Sequence, residues 1–523
     1  MAGPLVRTVD AGGGGAAVTL AAMATTLAPP PVPEAAGRRF AGAPAASLRV
    51  LAVLTVAAGV LRFATLDVQS LWGDESATVL LLRQPLGTML SHLGSSESTP
   101  PLYYVLAWLW THVFGDGAVG VRSFSALVGV ATVPVAWAAA RAASERAGLW
   151  AAALAAASPL SFYYAQEARA YALLILLAGL GFVAFTRALK APTRRSLGLW
   201  AGVSVLALLT HYFAAFVIAG EALWLLRRHG LRLTALACTP IGVVGLALVP
   251  LAARQRSDGK SDWIEGTSLA SRLAQAPKQF LVGIDSPVEL VAAGLAALLA
   301  AAAVGLVVRR GNREERRIAT LAASVAGVAL GLPLLLSLSG AIDLFNGRNV
   351  VAAWVPVAAL VAVGLGTARA PRLGAALGTG LVVVMLATVA GVLTGPEYQR
   401  DDSRGIADAL RGPSVARTIV APVNADLPLH VYLPHVTRLP DGQRAVVTRA
   451  LAVVSYGERQ TGGPPLAPVL PARPPAGFTA AGVTRHANYA VAFYTAPAPT
   501  AVALRPLQRL VGDGSVAERQ PAG

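Results

Sequence analysis

Runs of about 15 to 22 apolar residues recur from Leu48 to Leu393, separated by short polar loops. Each is near the ~20 residues a helix needs to cross a hydrocarbon core of roughly 30 Å. Backbone groups inside lipid must be satisfied within the protein, so such runs fold as membrane-spanning helices. The pattern predicts eleven spans, at about 47–66, 121–140, 149–165, 170–189, 196–210, 212–226, 233–251, 287–308, 318–339, 350–367 and 373–393. The chain is 55% hydrophobic and only 13% charged, roughly half the charged fraction of a soluble domain.

A net charge of +16 invites a nucleic-acid reading. The distribution of the charge argues against one, because the basic residues cluster in short loops between apolar runs. Those loops hold Arg141 and Arg146; Lys190, Arg194 and Arg195; Arg227, Arg228 and Arg232; Arg309 through Arg317; and Arg369 and Arg372. Loops of this kind belong on the cytoplasmic side. The intervening loops then face outward: 67–120, Gln166–Arg169, His211 and Tyr212, 252–286 and 340–349. This alternation requires the run Leu102–Phe114 to lie along the surface instead of crossing, in keeping with its length and its Trp108 and Trp110.

The expected fold is an all-α polytopic membrane protein with about 11 transmembrane helices and a small C-terminal α/β extracytoplasmic domain. Residues 1–46, rich in Gly, Ala and Pro, form a disordered cytoplasmic tail in this reading. The transmembrane domain covers 47–393. Residues 394–523 alternate short strand-like segments (Thr418–Val423, Ala445–Val454, Ala490–Tyr494) with Pro and Gly breaks, and a helix is expected at Arg404–Leu410. The expected location is the cell membrane, multi-pass, with a cytoplasmic N-terminus and the C-terminal domain outside. The single cysteine, Cys238, lies in an apolar run and leaves no disulfide or Cys-based metal site within the chain.

Ionisable residues near the ends of spans are costly, which makes them candidates for function. The first cluster is Trp72-Gly73-Asp74-Glu75-Ser76. Its adjacent carboxylates beside an indole could supply a general base; the plain alternative is a solvated loop with a helix-capping acid. The second is Tyr163-Tyr164-Ala165-Gln166-Glu167-Ala168-Arg169-Ala170-Tyr171, whose arginine could grip a phosphate or simply snorkel beside Glu167. Phe345-Asn346-Gly347-Arg348-Asn349 and His211-Tyr212 face the same side. A carboxylate pair and arginines on one side of one membrane fit an acceptor hydroxyl that needs a base and a lipid phosphate that needs cations.

At these residues the chain resembles the GT-C superfamily of polyprenyl-phosphate-dependent glycosyltransferases. It looks most like bacterial family 39-like proteins, related to protein O-mannosyltransferases and lipid A aminoarabinose transferases. The resemblance is carried by Leu61-Arg62-Phe63, Trp72 to Ser76, Pro100-Pro101-Leu102-Tyr103-Tyr104, Phe114-Gly115, Val121-Arg122-Ser123, Tyr163 to Tyr171 and His211-Tyr212-Phe213. It covers about 48–393 and extends into Asp401-Asp402-Ser403-Arg404. Arg348-Asn349 stands where the family has Arg-Tyr, and Ser403 where similar proteins have Trp.

The resemblance implies inverting transfer of a sugar from a polyprenyl-phosphate donor to an acceptor hydroxyl at the outer leaflet. Asp74 is the implied general base, with Glu75 orienting it or the sugar. Arg169 and Arg348 would neutralise the lipid phosphate, and Arg122, Glu167, Tyr171 and His211 would complete the substrate site. A divalent metal occurs in the wider superfamily, but two adjacent acids alone do not define a site for one, so no cofactor or metal is expected. The expected partners are the lipid-linked donor, a hydroxyl acceptor and the bilayer, with no nucleic acid. The rival class is a transporter or flippase of lipid-linked sugars. That class favours charged or broken segments at mid-membrane in inverted repeats, and the sequence shows no such repeat. A catalytically dead scaffold is a third class, against which the intact Trp72-to-Ser76 motif speaks.

Overall fold

The structure, a computed structural model, describes residues 44–257, 264, 266–340, 342–457, 466–511 and 515–522. The tail expected over 1–46 therefore falls, except for its last three residues, outside the described residues. Ala46–Gly523 forms one compact unit.

Helices occupy all eleven places where apolar runs predicted spans. Eight of them, among the described residues, are long and apolar enough to cross a bilayer: Ala45–Phe63, Ala118–Arg141, Tyr171–Lys190, Leu231–Ser257, Glu289–Arg310, Arg313–Leu338, Gly347–Leu365 and Pro371–Thr394. The other three places differ from the expectation. The run 149–165 is two short helices, Glu145–Ala157 and Pro159–Ala165. Pro159 disfavours helical backbone at Ser158, which adopts φ −57° and ψ 122° and caps the second helix by accepting from the Ser161 amide. Arg194–Thr210 and Ala214–His229 have 17 and 16 residues, about 25 Å of helix.

Leu102–Phe114 is a 13-residue helix ended by Gly115 at φ 82°. It buries Tyr103, Tyr104, Ala107 and Thr111 while Leu109, Val113 and Phe114 stay exposed. Length and two-faced character suit a helix lying on the membrane surface.

Tyr171–Lys190 and Gly347–Leu365 are buried at the centre of the bundle, whereas Ala45–Phe63 and Leu231–Ser257 expose most of their apolar side chains. Exposed valines and leucines in unbroken rows suit lipid, not water. Helices in lipid pack closely through small residues, and Gly364 shows why: a Cβ there would stand 2.1 Å from the Ala303 carbonyl oxygen, a backbone atom that cannot swing away. Gly364→Ala should therefore lower stability by about 1–3 kcal/mol. Thermal unfolding in detergent would read this, and an unchanged midpoint would show that the two helices separate freely.

The C-terminal part is a six-stranded mixed sheet in the order β2-β6-β1-β3-β5-β4: Arg417–Ala421 (β1), Thr437–Arg438 (β2), Ala445–Tyr456 (β3), Thr479–Arg485 (β4), Tyr489–Ala503 (β5) and Val516–Gln520 (β6). Among the described residues β1 and β3 pair in parallel and the other pairings are antiparallel. Helix Ser403–Leu410 forms almost where the sequence places it. Helix Val423–Tyr432 was not expected, because it starts after Pro422 and contains Pro428. Pro428 has no amide hydrogen to give to the Asn424 carbonyl, so the helix forms with one internal hydrogen bond fewer.

The sheet domain grips the loop after the first span. Arg404 pairs with Asp67 at 2.6 Å, the Ser70 hydroxyl donates to Asp402 at 2.8 Å, and the Leu71 amide donates to the Tyr432 hydroxyl at 2.9 Å. Leu71, Val79, Val121 and Ala168 form a small apolar cluster with Val431 and Tyr432.

Candidate active site

The Asp74-Glu75 pair opens the helix Gly73–Leu82, in the first turn where the helix dipole favours acids. Successive helical residues point in different directions, about 100° apart, so the two carboxylates enter different surroundings. Asp74 faces a cavity of ≈ 300 Å³, whose lining includes Glu97, Arg169, Tyr171, Arg348 and Asn424. Its Oδ2 accepts from the Arg348 guanidinium at 3.0 Å. A second cavity of ≈ 380 Å³ shares Arg348 and Asn424 and adds Trp72, Tyr163, Arg400 and Tyr456.

Glu75 turns away from both cavities and is completely buried. Arg122 donates to both of its oxygens, Arg400 donates to Oε2 at 3.2 Å, and the Ala168 amide donates to Oε1 at 2.9 Å. Burial alone would push this carboxyl up; the charges of Arg122 and then Arg400, with the hydrogen bonds, outweigh burial and leave it below the usual glutamate value. Arg122 is spent in the same way. Beyond Glu75 it donates to the carbonyls of Leu66, Gln69 and Ser70, tying down the loop that delivers Asp74.

Arg348 stands opposite Asp74 because its loop is braced. Asn346 caps the 3-10 turn Gly347–Ala353, accepting from the Arg348 amide at 3.0 Å. Arg272 holds Asp343 through two hydrogen bonds and donates to the Phe345 carbonyl. The Arg348 guanidinium also lies 5.0 Å from the centre of the Trp72 ring, a favourable cation–π separation.

Arg169 and Tyr171 line the Asp74 cavity. The pairing of Arg169 with Glu167 does not occur; Arg169 binds Glu97 at 2.6 Å and the Thr78 hydroxyl at 3.3 Å. Glu167 is buried, with neither carboxylate oxygen hydrogen-bonded. Burial pushes its carboxyl up to about 7 against the opposing pull of Arg400 and Arg348. His211 lies outside the cavities, behind Tyr171 at 5.7 Å between ring centres. Burial, with Arg169 nearby, lowers its imidazole to about 3, which keeps it neutral.

Structure thus brings Asp74, Arg348, Arg169 and Tyr171 around one cavity and sets Glu75, Arg122, Glu167 and His211 behind its wall. Several cavity residues escaped the sequence reading, among them Glu97, Arg400 and Asn424. Glu97 lies in the serine-rich stretch before Pro100-Pro101, Arg400 directly precedes Asp401-Asp402, and Asn424 sits on the unexpected helix. Arg400 occupies the central place among them. It donates to Glu75 and the Gln166 carbonyl, and its guanidinium lies 4.4 Å from the Tyr163 ring centre. A small cleft of ≈ 30 Å³ beside it is lined by Phe162, Ile284, Val389 and Val392 together with Gln69, Gln166 and Asp285.

The fold thus places a cationic, carboxylate-bearing cavity in a bundle of helices of membrane-spanning length, beneath a small sheet domain. At the level of family, residues 98–253 match dolichyl-phosphate-mannose-protein mannosyltransferase. Among solved structures, the chain is similar to ArnT from Cupriavidus metallidurans bound to undecaprenyl phosphate, with 14% identity, 85% of this chain and 97% of that chain covered, and a TM-score of 0.48. Arabinosyltransferase EmbB from Mycobacterium smegmatis is also similar, at 14% identity over 85% of this chain and 48% of that one, with a TM-score of 0.40. No curated protein matches the chain.

Proposed function

We propose that the chain transfers a sugar from a polyprenyl-phosphate donor to an acceptor hydroxyl, with inversion, in the cavity beneath the sheet domain. The observation that carries this reading is the pairing of Asp74 with Arg348 at 3.0 Å inside a cavity that also holds Arg169. In the reaction the hydroxyl oxygen bonds to the anomeric carbon and its proton passes to the Asp74 carboxylate. The bond from that carbon to the phosphate oxygen breaks, and the lipid phosphate leaves with the electron pair. Asp74 is the base. Arg348 and Arg169, with Arg400 in the adjoining cavity, offset the charge that develops on the phosphate. An arriving phosphate competes for the Arg348 guanidinium and so frees Asp74 Oδ2 for the hydroxyl. Glu75 and Arg122 serve as positioning residues, and Tyr171 shapes the wall that His211 and Glu167 back.

Planar, forked arginine suits phosphate better than a lysine point charge. Arg169→Lys should therefore raise the apparent KM for the donor, and Arg169→Ala should raise it further and lower turnover. Transfer from a radiolabelled polyprenyl-phosphate sugar into membranes reads this, and equal activity in all three forms would leave Arg169 a structural partner of Glu97. Mass spectrometry of cell-envelope glycans and glycoproteins, with and without the protein, identifies the acceptor.

The basic loops support an orientation with the site and sheet domain outside the cytoplasm. A reporter that works only outside should be active when fused after Leu393 and silent when fused at Gly311. The same signal from both positions would refute the orientation.

A further inference from the structure

Away from the cavity, the sheet domain gathers three side chains that the proposed reaction does not use. Asp426 and His430 lie one turn apart on the helix Val423–Tyr432, and Glu518 comes from β6. One ligand atom from each lies within 4.8 Å of the others, and a ring nitrogen of His430 is already 3.4 Å from Asp426 Oδ1. Glu518 is completely buried, and neither of its oxygens has a hydrogen-bond partner; Asp426 Oδ1 is also buried without one. A buried carboxylate left without a partner is expensive and demands a counter-charge or a proton. The neighbouring cation, Arg438, bonds Asp426 Oδ2 at 2.6 Å, shares itself with Asp441 and leaves Glu518 unbonded. Three carboxylates, two of them buried, thus face one guanidinium.

We propose that the sheet domain binds a divalent transition-metal ion, of which zinc is the type, between Asp426, His430 and Glu518. Two carboxylates and an imidazole are ligands that such ions accept, and ligand atoms on one ion at roughly 2.0–2.2 Å stand about 3–3.5 Å apart. The cluster needs to contract by little more than an ångström, and Arg438 can keep its bond to the second oxygen of Asp426. The site bears on the membrane cavity through its helix. Val423, Asn424 and Leu427 line the cavity that holds Asp74, and the Tyr432 hydroxyl accepts from the Leu71 amide. An ion joining this helix to β6 would brace the roof of the cavity without touching the reaction. No local sequence motif announces it, since Glu518 lies far along the chain from the Asp426–His430 pair.

The test uses the full chain in detergent, stripped with EDTA and titrated with Zn²⁺ alone. The expected result is about one zinc retained per chain after gel filtration, with a higher unfolding midpoint. Glu518→Gln and His430→Ala should each weaken zinc binding at least tenfold and abolish the midpoint shift, while circular dichroism keeps the helix and strand content. Asp74→Asn should retain the zinc. Three results overturn the proposal: no zinc retained and no shift, equal retention in wild type and both variants, or loss of zinc only on Asp74→Asn. In the first case Glu518 and Asp426 share a proton instead, consistent with burial and Asp426 pushing the Glu518 carboxyl up to about 8.

Discussion

Glu75→Ala should destabilise the protein by about 3–5 kcal/mol, the range expected when one partner of a buried ion pair is removed. Arg122 and Arg400 converge on this carboxylate, and both are nearly inaccessible to solvent. Removing it leaves two buried guanidinium groups without the carboxylate they share. A loss of that size is a large part of the ~5–15 kcal/mol that holds an ordinary domain together, so the variant should be recovered poorly and unfold at lower temperature. Combining it with Arg122→Leu should restore part of the loss, because one stranded charge goes with it. The pH dependence follows from the lowered carboxyl. Its contribution to stability is present above the ordinary glutamate value of 4.5 and disappears as pH falls through the lower folded value. Acid destabilisation should accordingly be weaker in Glu75→Gln than in wild type. A Glu75→Ala protein that unfolds like wild type yet transfers no sugar would mean that Glu75 touches the reacting groups.

Long apolar runs were legible in the sequence because a bilayer imposes length and composition at once. Eight helices satisfy both demands among the described residues. What blurred was the packing of short ones: 149–165 reads as continuous by hydropathy, and only Pro159 hints at the break after Ser158. In the sheet domain, Ala445–Tyr456 shows a buried alternation in its first half, whereas Val423–Tyr432 was hidden by its prolines. The site was legible in part. Trp72 to Ser76 marks the loop, yet nothing in an adjacent Asp-Glu pair says that one acid faces a cavity and the other a cage of arginines. That division comes from helical geometry and from Arg122 and Arg400, which meet Glu75 from 47 and 325 residues away. For the same reason Arg169 found Glu97 and not its near neighbour Glu167.

Asp74→Asn should lower turnover roughly 10²–10⁴-fold, the contribution of a well-placed general base. A hydroxyl is a weak nucleophile until its proton has somewhere to go, and Asn cannot receive it. The substitution preserves shape, and the amide oxygen can still accept from Arg348, so insertion, folding and donor binding should be kept. Asp74 is partly exposed to the cavity, unlike Glu75, so its loss strands no fully buried charge.

The most direct measurement is single-turnover sugar transfer by purified protein from a radiolabelled polyprenyl-phosphate donor, comparing wild type with Asp74→Asn at equal donor occupancy. The expected result is transfer with inverted anomeric configuration in wild type and a rate at least a hundredfold lower in Asp74→Asn. Equal rates in the two proteins, or movement of intact donor lipid between leaflets with no transfer by either, would contradict the assignment and favour a lipid-sugar transporter.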